Sequence, residues 1–423
     1  MTVRRSAAAL AASAVLCVAA APTAFAAPSP APVIPSGLYG KKDPTYDGVW
    51  RQSLALLAQD TVGVTPAKKA VDWLVGQQCA TGAFAAFRAD ASKPCDAKTM
   101  VDSNSTAVAV QSLAALGGHA DTVKKSAGWL KSVQNDDGGW GYMPGGPSDA
   151  NSTSVVIGAL AAAGEKPAEV KSKKGRSAYD GLVSFRLGCT AKETDRGSFA
   201  YQPDKAGKLA PNGDATAAAA LAGLGKGLAV EPLGKTDAAV AQPACETDAV
   251  AVTGEAAARG AAAYLAQTLA KGGQHLTALT PGADEPTPDI GNTADAVIAL
   301  AAGKHKDAAA GPVGWLQRNS AEWAKDNPAG LGTLVLAAHA TGTDPRAFGG
   351  ADLVRQLNAT GPAPESAAKP VEQKDENKNG KDGNDEKDGD ESGAGVWWIV
   401  GVGGVAGIGI GFLISGRKKN QQL

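Results

Sequence analysis

The chain contains the stretch Trp73-Leu74-Val75-Gly76-Gln77-Gln78, and the same pattern returns 56 residues later as Trp129-Leu130-Lys131-Ser132-Val133-Gln134. Each copy is followed by glycine and an aromatic residue, first as Gly82-Ala83-Phe84 and then as Gly138-Gly139-Trp140. Repetition of this kind marks an architecture in which one supersecondary unit is used several times. The two copies therefore predict a repeat protein.

Weaker copies continue the repeat toward the C-terminus. Phe185 with Gly197-Ser198-Phe199 is a partial third copy, and Tyr264-Leu265 and Trp315-Leu316 are fainter. Polar turns and Ala-rich runs follow the copies, and the side chains of such turns accept the free N–H groups of a helix start. The pattern predicts about twelve helices, near residues 47–59, 66–78, 104–116, 120–134, 151–163, 177–188, 214–226, 250–270, 292–302, 310–324, 329–341 and 345–358.

The repeated motif resembles the QW repeat of squalene cyclases and protein prenyltransferases. That resemblance implies an all-α fold, an α6/α6 toroid of helical hairpins over residues 45–359. It also implies that the repeat side chains hold the outer helices together, namely Trp73, Gln78, Phe84, Trp129, Gln134 and Trp140. The same toroid is found in transcobalamin-like corrinoid binders and in complement thioester domains, so the fold does not choose a function.

The catalytic motifs of the resembled enzymes are missing from the sequence. We find no D-x-D-D acid motif, and Asp136-Asp137-Gly138-Gly139-Trp140 lacks the last carboxylate of D-D-x-x-D. No spacing reproduces the zinc set of the prenyltransferases. The sequence therefore predicts no catalytic residue, no metal and no cofactor.

Aromatic and acidic residues recur where the mouth of a toroid is expected. The loops after the repeats and the predicted helix starts supply a candidate ligand site, formed by Phe87, Tyr142, Tyr201, Asp102, Asp149, Asp214 and Asp289. An apolar cleft with a few convergent polar groups is a common design for ligand sites. The alternative is that the rings fill the barrel and the acids only cap helices.

Four cysteines remain in the mature chain once a leader that contains Cys17 is removed. An even number of cysteines in an exported protein predicts disulfides. Three connectivities are open, and we favour the sequence-local pairs Cys79–Cys95 and Cys189–Cys245. A zinc site is the alternative, but the cysteines lack C-x-x-C spacing.

Both termini carry targeting signals. Arg4 and Arg5, an apolar run and Ala24-Phe25-Ala26 predict a cleaved signal peptide over residues 1–26, followed by a Pro/Ala-rich segment over 27–44. Residues 360–393 have the composition of a disordered charged stalk, and 394–416 that of a transmembrane helix. The basic residues in 417–423 predict a cytoplasmic tail, and therefore a type I protein with an extracellular toroid.

The formal net charge of −1 gives no basic field for nucleic acid. We therefore expect a membrane-anchored cell-surface protein that binds a corrinoid or another apolar nutrient. Its partners would be the bilayer, the small-molecule ligand and a membrane protein that receives the ligand. Two alternatives stay open, an enzyme that modifies terpenoid or polyprenyl lipids and a structural or adhesive module.

Overall fold

The computed structural model describes residues 33–234, 237–241, 252–279 and 284–365. The predicted signal peptide, transmembrane helix and cytoplasmic tail lie outside these residues, as does most of the predicted stalk. In the part of the chain that the structure describes, no helix has the length and apolar character needed to cross a bilayer.

Six helices form an inner layer and six form an outer layer, which alternate along the chain. The inner helices are α1 (Gly48–Thr61), α3 (Ser103–Leu116), α5 (Ala150–Ala162), α7 (Gly213–Gly223), α9 (Ile290–Ala302) and α12 (Pro328–Ala340). The outer helices are α2 (Lys68–Gly76), α4 (Ala120–Ser132), α6 (Ala178–Val183), α8 (Gly254–Lys271), α10 (Lys306–Asn319) and α13 (Leu353–Ala359). A short helix, α11 (Ala321–Ala324), precedes α12.

Four short strands pair at the loops between the layers. β1 (Phe84–Ala85) pairs antiparallel with β2 (Val101–Asp102), and β3 (Leu276–Ala278) pairs antiparallel with β4 (Thr287–Asp289). In each pair, the first strand lies in the loop after an outer helix, and the second strand ends at the residue that caps the next inner helix.

The inner helices contact one another in a closed ring. α1 packs on α3, α3 on α5, α5 on α7, α7 on α9, α9 on α12, and α12 returns to α1. Each outer helix packs on the inner helix that precedes it. The helix-rich architecture is compatible with the predicted all-α toroid.

Small side chains allow this close approach. The inner helix α7 reads Gly-Asp-Ala-Thr-Ala-Ala-Ala-Ala-Leu-Ala-Gly, and its residues from Ala215 to Gly223 are all buried. A Cβ on Gly332 of α12 would lie 3.0 Å from the Leu54 carbonyl oxygen of α1. An apolar helix surrounded by neighbours is buried on all sides. The Ala-rich runs therefore mark the inner layer.

A threonine in each of four inner helices ties the loop of the repeat to the ring. Its Oγ1 accepts the backbone N–H of the residue that closes the repeat: Phe84 to Thr106 at 2.9 Å, Trp140 to Thr153 at 3.0 Å, Phe199 to Thr216 at 2.9 Å and Leu276 to Thr293 at 3.0 Å. The same contact recurs in repeats whose sequences differ. It fixes the loops at one end of the ring, where the inner helices begin.

The opposite end of the ring is crossed by the segment 226–234. Leu228 donates its N–H to Gln111 Oε1 of α3 at 3.1 Å, and Leu233 donates to the Ala340 carbonyl of α12 at 2.9 Å. Leu228 and Val230 are buried. The helix C-terminal end of the ring is therefore covered by this segment, which leaves the helix N-terminal end to carry the candidate site.

The two ends of the described domain meet beside α1. Gly40 donates its N–H to the Thr360 carbonyl at 2.9 Å, and the Tyr39 hydroxyl donates to Gln59 Oε1 at 3.1 Å. Glu365 donates its N–H to the Thr65 carbonyl at 3.0 Å, next to the C-terminal end of α1. The first residues of the segment predicted as stalk, 360–365, thus lie against the domain. They leave it at the covered end of the ring.

The predicted disulfide Cys79–Cys95 is confirmed, with its Cα atoms 5.6 Å apart. It closes the loop that links α2 to β2. Cys189 is also disulfide-bonded, and Cys245, with which we predict it to pair, lies outside the described residues.

Candidate functional site

Three of the four predicted acidic residues cap inner helices. Asp102 accepts the Ser105 N–H at the start of α3, and Asp149 accepts the Ser152 N–H at the start of α5, both at 2.6 Å. Asp289 accepts the Asn292 N–H of α9 at 3.0 Å. These contacts stabilise the first helical turns. They agree with the alternative interpretation of the sequence, in which the acids cap helices.

Asp214 has a different place. The cap of α7 is Asn212, which accepts the Ala215 N–H at 2.8 Å. Asp214 lies inside the first turn, and its Oδ2 accepts the Asn151 Nδ2–H of α5 at 2.8 Å. Its side chain therefore links two neighbouring inner helices without capping its own, and the residue is half-buried.

Tyr142 and Tyr201 occupy equivalent positions over the ring. Each lies two residues after the aromatic residue that closes its repeat, and its carbonyl accepts the first N–H of the preceding inner helix. Ser103 donates to Tyr142 at 2.9 Å, and Ala150 donates to Tyr201 at 3.0 Å. Both residues are half-buried, so part of each side chain remains accessible.

Phe87 lies apart from this group. Its ring stacks on Trp73 of the outer helix α2, with centroids 6.4 Å apart, and also lies against Gly48 of α1. The six other predicted ligand residues come together around the starts of α3, α5, α7 and α9. We call them the rim: Asp102, Tyr142, Asp149, Tyr201, Asp214 and Asp289.

The rim residues form one electrostatic group. Burial raises the pKa of Asp102 to about 7 and that of Asp149 to about 6. The pKa of Asp214 rises to about 7, chiefly because of burial and further because Asp289 and Asp149 are close. Burial, followed by the charges of Asp149 and Asp214, raises the pKa of Tyr201 to about 12.

Tyr142 shows the same effect at the other side of the rim. Burial, and then the negative charge of Asp102, raise the pKa of its hydroxyl well above the usual range. The tyrosines are therefore neutral hydrogen-bonding groups at physiological pH, whereas Asp102, Asp149 and Asp214 titrate near neutrality. Carboxyl groups with such shifts cluster at functional sites.

Several buried oxygen atoms of the rim have no hydrogen-bond donor. They belong to the carboxyl groups and to asparagines in the first turns of α3 and α5: Asp102 Oδ2, Asn104 Oδ1, Asp149 Oδ2, Asn151 Oδ1 and Asp214 Oδ1. Unpaired buried polar atoms are rare in native proteins, and each one requires a proton, a water or a ligand. The rim is thus rich in acceptors that lack donors.

Trp323 lies beside the rim, although the repeat pattern did not indicate it. It lies in α11, and a Cβ on Gly330 of α12 would come within 2.8 Å of its ring, which also lies beside Gly291 of α9. Like Tyr142 and Tyr201, it stands between an outer helix and the next inner helix. No Gln or G-x-aromatic motif surrounds Trp323. The only sequence signal for it was its place between an outer helix and the next inner helix.

A groove of about 810 Å³ lies beside the rim, between the loops that carry Tyr142 and Tyr201. Asp136, Asp137 and Gln202 line it together with Phe185 and Leu209. The Asp137 carboxylate accepts the Gly139 N–H and the Ser148 hydroxyl, both at 2.8 Å. The Asp136-Asp137 pair thus belongs to the groove and to its own loop.

The residues of the repeat motif make structural contacts. Gln78 donates to the Thr122 carbonyl at 2.9 Å and to Ser126 Oγ at 2.8 Å, both on α4. The Trp140 indole N–H donates to the Leu130 carbonyl at 2.7 Å. Phe84 and Trp140 are fully buried, Trp73 and Trp129 are half-buried against the core, and Gln134 donates to the Gly138 carbonyl at 2.8 Å.

Metal ligands do not converge in the part of the molecule that the structure describes. Within it, no three His, Cys, Asp or Glu side chains are placed to hold one ion.

No protein-family model matches the chain, and no curated protein is significantly similar to it. Among solved structures, it is similar to a protein from Actinoplanes at 16% identity and a TM-score of 0.44, over 74% of this chain and 96% of that one. It is also similar to ent-copalyl diphosphate synthase from Streptomyces platensis at 16% identity and a TM-score of 0.44, over 70% of this chain and 50% of that enzyme. A sugar epimerase from a ruminal bacterium matches at 14% identity and a TM-score of 0.42, over 73% of this chain and 93% of that one.

Proposed function

We propose that the chain is an exported, membrane-tethered binding protein that captures a small organic ligand at the rim. The observation that carries the proposal is the pair Tyr142 and Tyr201. Two half-buried tyrosines stand at equivalent positions over neighbouring inner helices, next to oxygen acceptors that lack donors. Aromatic faces beside a few fixed polar groups are the usual composition of a ligand site.

The tether follows from the sequence, through the predicted signal peptide at 1–26 and the predicted transmembrane helix at 394–416. The position of Glu365 supports this arrangement. The chain leaves the described domain beside Thr65, at the end of the ring that segment 226–234 covers. A tether attached there leaves the rim free at the other end of the ring, where a ligand from solution can reach it. The ligand would be a planar nutrient such as a corrinoid, handed on to a membrane protein.

A second candidate function is an enzyme that acts on terpenoid or polyprenyl lipids, and one observation favours it. Asp214 has a pKa of about 7, which is suited to a general acid or base at physiological pH. Generating a carbocation requires a much stronger acid than this. We therefore rank capture above catalysis.

The test is retention of ligand by the full chain, purified in detergent from its native membrane. Organic extraction and mass spectrometry should show a co-purifying compound. The double variant Tyr142→Ala/Tyr201→Ala should weaken its binding by about 1 to 3 kcal/mol, the usual cost of removing aromatic contacts at a binding hot spot.

Tyr179→Ala is the matched control, because this half-buried tyrosine packs against Gly225 and Gly254, away from the rim. It should lower stability and leave retention unchanged. Equal loss of retention in both variants would refute the site, since a general loss of structure would then explain it. Turnover of squalene or of a polyprenyl diphosphate by the full chain would favour the enzyme.

A further inference from the structure

The rim carries four carboxyl groups, and no cation among the described residues balances them. Every ion pair found in the described residues uses other acids, namely Asp47, Asp72, Asp90, Glu165, Glu169, Glu255 and Asp352. The electrostatic influences on Asp102, Asp149 and Asp214 come from other acids or from hydrogen-bond donors, and none comes from Lys, Arg or His. Close carboxyl groups without a counter-ion resist full ionisation.

Two buried amide groups point to what is missing. Asn151 is 1% exposed and Asn104 is 5% exposed, and the Oδ1 atom of each has no donor. The Asn151 amide is fixed in the rim, because its Nδ2 already donates to Asp214 Oδ2 at 2.8 Å. Its Oδ1 is therefore an oriented acceptor that adjoins an acid and has no donor among the described residues.

Aromatic side chains lie near the rim acids, since the Tyr142 hydroxyl is close to Asp102 and the Tyr201 hydroxyl is close to Asp149 and Asp214. Tyr142 and Tyr201 lie over the starts of α3 and α5, and Trp323 lies against the first turns of α9 and α12. The face of an aromatic ring attracts an organic cation, and tryptophan and tyrosine do so most strongly. Unbalanced carboxyl groups, oriented amide oxygens and aromatic faces share one complementary chemistry.

We infer that the rim binds an organic cation, an ammonium or amidinium group carried on a planar body, with its N–H donors on Asp214 and Asn151. This inference rests on the proposed function and names the chemical class of its ligand. Asp214 is the less buried residue of the pair, because it is half-buried whereas Asn151 is closed from solvent. The Oδ1 atoms of both are themselves covered, so binding requires the side chains over them to move aside. The planar body would stack on Tyr201, next to Asp214.

A bare metal ion fits the same acceptors less well. A hard cation such as Ca²⁺ takes six to eight oxygen ligands at short range. In the described residues the acids do not gather into a group that could hold one. An ammonium group forms separate directional hydrogen bonds and needs only two or three acceptors.

The test compares two probes of the same shape, benzylamine and benzyl alcohol, by ligand-observed NMR with the full chain in detergent. For a fragment of this size we expect a Kd on the order of 1 mM. Benzylamine should bind about tenfold more tightly than benzyl alcohol, which corresponds to one charge-assisted hydrogen bond. Its binding should strengthen as pH rises through about 7, where Asp214 loses its proton.

The variant Asp214→Asn should bring the two affinities to about the same value. Asp121→Asn removes an exposed acid of α4 and should leave the tenfold ratio unchanged. If Asp214→Asn fails to fold, Asp149→Asn, which keeps an oxygen for its helix cap, should lower the ratio instead.

Equal binding of the two probes by the unaltered protein would overturn the inference, as would no binding of benzylamine. Displacement of benzylamine by Ca²⁺ at lower concentration would overturn it in favour of a metal site. In each case retention of the native ligand could still depend on Tyr142 and Tyr201, and the proposed function would then stand. If benzylamine binds more tightly than benzyl alcohol but retention of the native ligand does not depend on Tyr142 and Tyr201, only the proposed function is rejected.

Discussion

The threonine tether of the second repeat offers a sharp test of how the ring is held together. Thr153 Oγ1 accepts the Trp140 N–H at 3.0 Å, and Trp140 is fully buried. The substitution Thr153→Val keeps the shape and removes the acceptor. The Trp140 carbonyl remains satisfied, because it also accepts the Asp149 N–H at 3.0 Å. The loss is therefore one buried N–H without a partner, which costs about 1 to 3 kcal/mol.

Thr333→Val in α12 is the matched control. Thr333 is equally buried, but its hydroxyl only donates to the Ala329 carbonyl of its own helix, at 3.1 Å. Such bonds contribute little to helix stability, so we expect a change within about 0.5 kcal/mol. Thr153→Ser should fall between the two variants, because it keeps the acceptor and loses a methyl group.

The assay is denaturant unfolding of the three variants, followed by circular dichroism of the helices. Equal destabilisation by Thr153→Val and Thr333→Val would refute the tether, because the threonine would then act only through its own helix. A Thr153→Val protein as stable as the unaltered chain would refute it as well.

Three further predictions concern the same fold. Replacing Cys79 and Cys95 by serine should lower the free energy of unfolding by about 3 kcal/mol, since the bridge spans 16 residues of chain; no change in the denaturation midpoint would contradict this. Gly181→Ala should destabilise by about 1 to 3 kcal/mol, because its Cβ would lie 2.3 Å from the Gly139 nitrogen, whereas Gly128→Ala, in open space on α4, should stabilise by about 0.5 to 1 kcal/mol. The unfolded chain releases the Asp102 proton near pH 4 and the folded chain near pH 7, so the free energy of unfolding should fall as pH rises from about 4 to about 7 and then level off. Asp102→Asn keeps the helix cap and should make that fall shallower in denaturation measured across this range, while Asp149 and Asp214 still contribute to it.

The layers of the fold could be predicted because they depend on local signals. Polar helix starts followed by Ala-rich runs located α3, α5 and α9 to within about two residues of their observed starts. The outer helix α6 was predicted over 177–188 and extends only from Ala178 to Val183. Phe185 and Arg186 instead bond to Ala200 and Phe199, so the chain leaves the helix to pair with its own loop. Pairing with a distant segment cannot be read from helical periodicity.

The acids and tyrosines chosen from the sequence lie near one another in the structure, with the exception of Phe87, but the contacts of each could not be predicted. Asp214 was predicted at the start of an inner helix, but Asn212 caps α7 and Asp214 instead accepts a hydrogen bond from Asn151 of α5. Phe87 lies outside the group because its ring packs on Trp73 of α2. Phe87 belongs to the loop that the disulfide closes, and the sequence does not show that this loop folds back on α2. Trp323 lies in a helix of four residues, too short to show a period.

The meeting of the two chain ends beside α1 also has a mechanical consequence. A linear chain that closes into a ring leaves one seam that no peptide bond crosses, and here hydrogen bonds join it, from Gly40 to Thr360 and from Gln59 to Asn358. Glu365 is fastened to Thr65, on the far side of that seam from α13. A pull on the chain beyond Glu365 is therefore taken up first by the Thr65 contact and then as shear along the seam.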